Sequence, residues 1–262
     1  MNGKIKCRNN WKSQFCIREV LKLSYKKLCL FFAIGMLLVG QTLITGCGKK
    51  VIPQVYTYEE QSDGTVMITG LTEKGKSDSK LIIPMELGDK KVTAIGREAF
   101  RDNTAVTTVE ISDNVTSILE NAFLGCTRLE EITFSSNLED VGTNIVKNTL
   151  WEKKKLEEHT EIIVNNILIE VQVETDSYKI PDGVKNIASG VFYRNDSLKS
   201  ISIPNTIEKI GSYAFAECEN LTTLEIPIDV QEIGYDAFLN LAQVKYAGNA
   251  QGSPWGAKEI LQ

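Results

Sequence analysis

Few side chains in this sequence have the type and spacing to do chemistry. There is one histidine, His159, so a Ser–His–Asp triad, a two-histidine zinc helix or a multi-histidine metal site would depend on it or could not exist. His159 follows Lys155, Glu157 and Glu158, polar surroundings that suit a solvated loop histidine better than a lone metal ligand. No glycine-rich phosphate loop, G-x-S-x-G elbow or paired metal-ligand motif is present. Acidic residues are plentiful, but no spacing singles out a carboxylate pair for acid–base work. No cofactor is implied.

The cysteine with the most telling context is Cys47. Lys22, Lys26 and Lys27 precede Leu28–Gly46, a stretch without a charge. Lysines before an apolar run that ends in small residues read as an export signal with the lysines left inside. The run closes as Ile44-Thr45-Gly46-Cys47, which resembles the bacterial lipobox. That resemblance implies that residues 1–46 are a lipoprotein signal peptide and that Cys47 is acylated as the first mature residue. More than one acyl chain anchors a protein where a single chain binds marginally. The alternative is an uncleaved signal anchor, because the run nearly suffices to span a bilayer. Either way, the chain beyond Cys47 is expected outside the cytoplasmic membrane.

The charges divide unevenly. Residues 1–46 hold eight Lys/Arg and one acid, Glu19, leaving 21 basic and 33 acidic residues, a net −12, in the remainder. Such a surface disfavours sequence-independent nucleic-acid binding. With 42% hydrophobic and 24% charged residues, the composition is that of an ordinary globular chain, neither collagen-like nor broadly disordered.

The element that positions everything else is a repeat. Aromatic residues of Ala-Phe or Val-Phe pairs stand at 100, 123, 192, 215 and 238, with Val146 on the same 23-residue grid. A second column runs Ile95, Ile118, Val141, Ile187, Ile210, Ile233, and a third Val106, Leu129, Leu198, Leu221, Val244. Within each unit a short alternation ends at proline or a polar turn, as in Ile201-Ser202-Ile203-Pro204. Alternation of period two predicts a strand with one face buried, and proline stops its ladder for want of an N–H. A unit of this length cannot bury its apolar residues alone, so successive units must stack. The expected architecture is a solenoid.

The run Leu221-Thr-Thr-Leu-Glu-Ile-Pro-Ile-Asp-Val-Gln-Glu-Ile-Gly-Tyr-Asp-Ala-Phe238 resembles the BspA-type (Treponema pallidum-type) leucine-rich repeat, roughly L-x-x-I-x-I-P-x-x-V-x-x-I-G-x-x-A-F-x-x-C. Six units match at the same spacing. Leu119 and Ala188 replace the usual glycine, Ser112-Asp113 a proline, and Val146 a phenylalanine. The resemblance implies a strand-rich α/β solenoid, a leucine-rich-repeat horseshoe with parallel strands on one face and short turns behind. It also implies an exported or surface protein of the adhesin kind, with partners that vary across the family.

The expected organisation is a signal peptide (1–46), a tether (47–55), an N-terminal hairpin cap (56–80) turning at Ser62-Asp63-Gly64, and a first repeat block (81–146). A β-hairpin interruption (147–177), a second block (178–246) and a C-terminal cap (247–262) complete it. The interruption is expected to be ordered, to project from the solenoid or kink it, and to turn at Asn165-Asn166 with Ile163, Ile167 and Ile169 inward. Trp151 and Trp255 are candidates to fold over the last rung of each block. Cys126 and Cys218 share a column four periods apart. At about 4.8 Å per rung they would be about 19 Å apart, beyond disulfide reach, and so are expected as buried free thiols.

If Val109 and Ile111 face inward, Glu110, Thr133, Lys179, Ser202 and Glu225 form an outward stripe, beside a second containing Glu131. With the basic stem Lys153, Lys154 and Lys155, these are the candidate partner surface; keeping a strand face soluble would explain them equally well. The function expected is a lipid-anchored, cell-surface repeat protein that binds an extracellular protein or glycan, on host matrix or another microbe, without catalysis. The alternatives are a structural envelope protein and, less favoured, a carbohydrate-active enzyme.

Overall fold

The computed structural model describes residues 55–173, 175–252 and 255–261. The leader, Cys47 and the tether up to Gln54 lie outside them. Among the described residues, no helix is long and apolar enough to cross a membrane.

The chain coils into a strand-rich solenoid, and each rung contributes to three stacks. The first is a ladder of short strands, two residues long in every rung but the first. Lys90–Ile95, Ser117–Ile118 and Asp140–Val141 pair in parallel in the first block, and Asn186–Ile187, Lys209–Ile210 and Glu232–Ile233 in the second. The isoleucine column points into the core, with Ile95, Ile118 and Ile210 fully buried. Glycine succeeds that column where rungs approach most closely. A Cβ on Gly142 would stand 2.3 Å from the Glu120 nitrogen, and one on Gly211 2.5 Å from that of Ser189. Leu119 and Ala188 nevertheless keep the ladder bond, donating their N–H to Ile95 and Leu168 at 2.8 and 2.9 Å.

The second stack is the aromatic column. Phe100 and Phe123 stack at 5.0 Å, Phe192 and Phe215 at 5.0 Å, and Phe215 and Phe238 at 6.2 Å. A tyrosine starts each series: Tyr56 packs edge-on to Phe100, and Tyr178 packs against Phe192. The turn that carries each phenylalanine has a backbone signature absent from the sequence pattern. Two residues four apart take positive φ in these five turns and in the turn of Val146: Glu98/Asp102, Asn121/Gly125, Asn144/Asn148, Gly190/Arg194, Tyr213/Glu217 and Asp236/Asn240, with φ from 50° to 74°. This geometry sends alternate amides to the next rung. The N–H groups of Glu98, Phe100 and Asp102 donate to Glu120, Ala122 and Leu124 at 3.0, 2.8 and 2.8 Å. A non-glycine residue held there costs about 1–2 kcal/mol, less for asparagine or aspartate, and the inter-rung bonds offset it.

The third stack is the alternating strand, with Val109, Ile111 and Leu224 turned inward. It forms three separate sheets. Lys80–Ile83, Thr108–Ile111 and Glu131–Thr133 make the first; Ser177–Lys179 and Ser200–Ser202 the second; Thr223–Glu225, Gln243–Lys245 and Ile260–Leu261 the third. The break after Thr133 has a local cause. On the 23-residue grid the next strand would fall at 154–156, and those residues lie inside a helix, Leu150–Glu158. Thr149 caps it: its Oγ1 accepts the Glu152 N–H at 3.0 Å, while the Glu152 carboxylate accepts the Asn148 N–H at 2.8 Å. The pair resembles a capping box, with the return bond falling on Asn148, one residue before the cap, while the Thr149 N–H donates to the Val146 carbonyl. The signal is written in the sequence as Thr-x-x-Glu, and the expectation of a hairpin alone missed it.

The adjoining hairpin, Glu161–Val164 with Ile167–Val171, does not project. It is built into the solenoid as a wall. Its outer strand pairs in parallel with Asn186–Ile187, as the N-terminal hairpin, Tyr56–Glu60 with Val66–Leu71, pairs with Lys90–Ile95. Ile167, Leu168 and Ile169 are all buried, because Ile167 and Ile169 pack into the first block and Leu168 into the second. A strand covered on both faces reads as a continuous apolar run. The turn residues Asn165 and Asn166 take φ of 49° and 64°. Ile163 departs from expectation: the register shifts between Ile162 and Ile163, so Ile162 turns inward and Ile163 is left 39% exposed.

The C-terminal segment is a compressed rung. Gln251 bridges to Glu232, the Phe238 N–H donates to the Trp255 carbonyl at 2.8 Å, and Ile260–Leu261 completes the third sheet. The steps from the rung before are 19, 17 and 16 residues. Trp255 packs against the second core and edge-on to Tyr246. Trp151 does the same for the first block, partly buried and edge-on to Phe134 at 5.6 Å.

Phe215 is fully buried between two stacked rings. Phe215→Ala is expected to cost about 3–5 kcal/mol in denaturant unfolding, the usual penalty for emptying a large aromatic site. An unchanged midpoint would contradict the stacking.

Candidate functional site: a polar strand face and the junction beside it

The expected surface residues all reach solvent to some degree, but they do not form one stripe. Glu110 is half-buried and paired with Lys80 at 2.6 Å. Glu131 and Thr133 are exposed on the first sheet. Lys179 and Ser202 lie opposite each other on the second, where they line a shallow depression of about 330 Å³ with Ser177, Tyr178, Ser200 and Ile201. Glu225 is exposed on the third sheet, where Lys245 at 2.8 Å holds its carboxyl below the usual carboxylate range. Of the basic stem, Lys154 reaches back to Glu130 at 3.2 Å, Lys153 lies 4.0 Å from Glu157, and Lys155 is half-buried. The helix thus brings Lys154 to the border of the first sheet and separates that sheet from the second.

The junction holds the convergent carboxylates that sequence spacing could not reveal. Lys147 Nζ lies 3.0 Å from Glu152 and 2.9 Å from Glu170, so the two carboxyl groups are close together. Burial pushes the Glu170 carboxyl above the usual range, against the pull of Lys147. Burial works to lower the Lys147 pKa, but its two carboxylates more than offset this and raise it. Glu152 is also committed to Asn148, as the cap requires. Both carboxylates are therefore counter-charges to Lys147, and Glu152 is also tied to the start of the helix. Beside them opens a cleft of about 580 Å³, whose lining includes Lys147, Glu152, Lys153, Leu156 and Gln172.

The remaining candidates are structural. His159 is exposed and ends the helix, its N–H donating to the Lys155 carbonyl at 2.9 Å. Cys126 and Cys218 are free and buried, each Sγ donating to the phenylalanine carbonyl of an adjacent rung, Phe100 at 3.0 Å and Phe192 at 2.9 Å. Burial raises their thiols to about 12 and about 11, far from the reactive thiolate range. Among the described residues no group of three or more His, Cys, Asp or Glu could hold a metal ion.

With this geometry in place, the comparison with known proteins is direct. The family model for the BspA type leucine rich repeat region matches in six copies, over residues 84–174 and 166–250. The chain belongs to the BspA-type leucine-rich-repeat family. Among solved structures, it is similar to the T. pallidum leucine rich repeat protein, with 21% identity, a TM-score of 0.40, and coverage of 81% of this chain and 86% of that one. A leucine rich cell surface protein of Faecalibacterium prausnitzii is 24% identical, with a TM-score of 0.40 over 78% of this chain. The match spans only 56% of that protein's length. A leucine-rich repeat protein of Bacteroides ovatus is 16% identical over 79% of this chain and 89% of its own, with a TM-score of 0.30. No curated protein matches the chain.

The Lys147 cluster yields a test of charge. Without Lys147, two largely buried carboxylates lose their counter-ion, so Lys147→Met is expected to lower the melting temperature at pH 7. A carboxyl with a raised folded pKa opposes folding when ionised and not when protonated. At pH 4, Glu170 is mostly protonated and needs no partner, so the loss should shrink. Melting curves of both proteins at the two pH values check this; an equal loss at both would show that Lys147 acts through packing alone.

Proposed function

We propose that this protein is a cell-surface, lipid-anchored repeat protein that binds extracellular proteins or glycans and catalyses no reaction. The observation that carries this reading is the strand face. Alternate residues seal the core while Thr133, Lys179, Ser202 and Glu225 stand exposed in successive sheets, a broad polar surface of the kind an extended partner can cover. Lys147 holds both Glu152 and Glu170, and Glu152 also accepts from the Asn148 N–H, which supports a structural role for this pair. The anchor reading rests on Ile44-Thr45-Gly46-Cys47.

Two measurements test the proposal. In cells fed a labelled fatty acid, Cys47→Ala is expected to abolish labelling and leave a larger precursor; persistent labelling would remove the lipoprotein reading. In a solid-phase assay against matrix proteins and cell-surface glycans, the chain is expected to bind at least one of them. Reversing the basic stem (Lys153→Glu, Lys154→Glu, Lys155→Glu) should weaken that binding severalfold if the stem borders the partner site. Undiminished binding would place the site elsewhere on the surface.

A further inference from the structure

All the large aromatic side chains that stand exposed among the described residues are tyrosines, and all belong to one turn of three successive rungs: Tyr193, Tyr213 and Tyr235. Tyr213 and Tyr235 touch, their rings 5.7 Å apart at 71°, with 38% and 53% of their surfaces exposed. Tyr213 sits at the left-handed position of its turn, with φ of 57°. The equivalent residues in the other rungs are Glu98, Asn121, Asn144, Gly190 and Asp236, mostly types that tolerate this backbone. A bulky ring there is an outlier. The bond from the Tyr213 N–H to the Tyr235 carbonyl at 3.1 Å offsets the backbone cost, and the ring still keeps 38% of its surface exposed, the part it presents to its surroundings.

The flanks of the pair indicate a ligand. One rung back from Tyr213, Gly190 offers no side chain, so the ring flank away from Tyr235 is not walled by its own column. Thr143 lies against Gly190. Ser189 and Ser212 occupy the column of Tyr235 in the two preceding rungs. The neighbouring Asp236, and then Tyr213, raise the Tyr235 pKa, and the phenol is hydrogen-bonded to the Asp236 carboxylate, which leaves the phenol oxygen and the second carboxylate oxygen as acceptors beside the rings. Arg194, the nearby cation, is tied to Glu217 at 3.0 Å. The patch is therefore two rings bordered by hydroxyls and a carboxylate.

Rings of this amphipathic kind take apolar faces, and the hydroxyl and carboxylate groups take hydrogen bonds. That pairing suits a pyranose. Net charge of −12 beyond the leader disfavours a polyanion. A protein partner would need roughly 800 Å² of complementary surface per side, more than two rings among serines present. We propose that Tyr213 and Tyr235 form a stacking platform for a neutral polysaccharide. This rests on the adhesive reading above and adds to its strand face a second contact place, on the turns, with a ligand class of its own.

The test uses the full chain, with Tyr213→Asn and Tyr235→Ser, in affinity electrophoresis through gels containing β-glucan, dextran or galactomannan. Heparin gels and wells coated with matrix proteins run in parallel. Wild type should be retarded by at least one neutral polysaccharide, and each variant should bind it at least about tenfold more weakly. Tyr213→Asn should melt at or above the wild-type temperature, because asparagine tolerates the turn; a lost fold therefore cannot explain its lost binding. Absence of retardation by every neutral polysaccharide, or equal retardation of the variants, overturns the platform. If no neutral polysaccharide retards the wild type while wild type and variants adhere equally to matrix protein or heparin, the platform falls and the adhesive reading stands. If wild type binds none of the probes, both fall.

Discussion

A rung of this solenoid has no core of its own, so every rung depends on bonds that leave it. The alternating left-handed residues of the turn make this possible at the back. They point every second amide along the stacking axis, from Phe100 to Ala122 and from Phe215 to Ala237, each at 2.8 Å. At the isoleucine ladder the bonds run the other way, from Gly142 back to Ile118 and from Gly211 back to Ile187. Each coil is thus held toward its successor on one side and toward its predecessor on the other. Identical side chains then meet at a fixed interval, which is why a phenylalanine in one rung fits best against a phenylalanine in the next.

Such a stack has to end, and here it ends more than once. The N-terminal hairpin supplies strand partners for Lys90–Ile95, and the compressed last rung covers Phe238. Between them the wall strand Ile167–Val171 closes one core and opens another. The first rung after it is shared: the Ala188 amide goes to Leu168 and the Ser189 amide to Val141. Further ties cross the same junction, from Asn165 to the Ser135 carbonyl at 2.6 Å, from Asn186 to the Glu139 carbonyl at 3.4 Å, and from Lys209 to Asp140. The interruption is a joint, braced at several points.

The repeat and its buried columns were legible because a stacked fold must reuse the same residue type at the same interval. The hairpin turn was legible too, since Asn165-Asn166 tolerates positive φ. The features that escaped the sequence obey other rules. The helix at Leu150–Glu158 announced itself only through the Thr149–Glu152 cap, a local signal off the 23-residue grid. Ile163 faces outward because of a register shift, which period-two alternation cannot foresee. The compressed C-terminal rung keeps the stacking bonds but not the spacing. The Glu152–Glu170 pair meets across Lys147 because the helix and the hairpin pack side by side, and Tyr213 and Tyr235 meet only because their rungs do.

The wall strand also bears on the order in which the chain can assemble. Its hairpin closes through a two-residue turn, so forming it costs little chain entropy. One face completes a core made of residues that precede it or belong to it, apart from Ala188 and the half-buried Val191. A chain delivered from its N-terminus could therefore finish its first half before the second arrives, as N-terminal units generally do during synthesis. The opposite face, with Leu168, then stands ready as a template edge for Asn186–Ile187. The second half inherits a preformed nucleus and need not find its own.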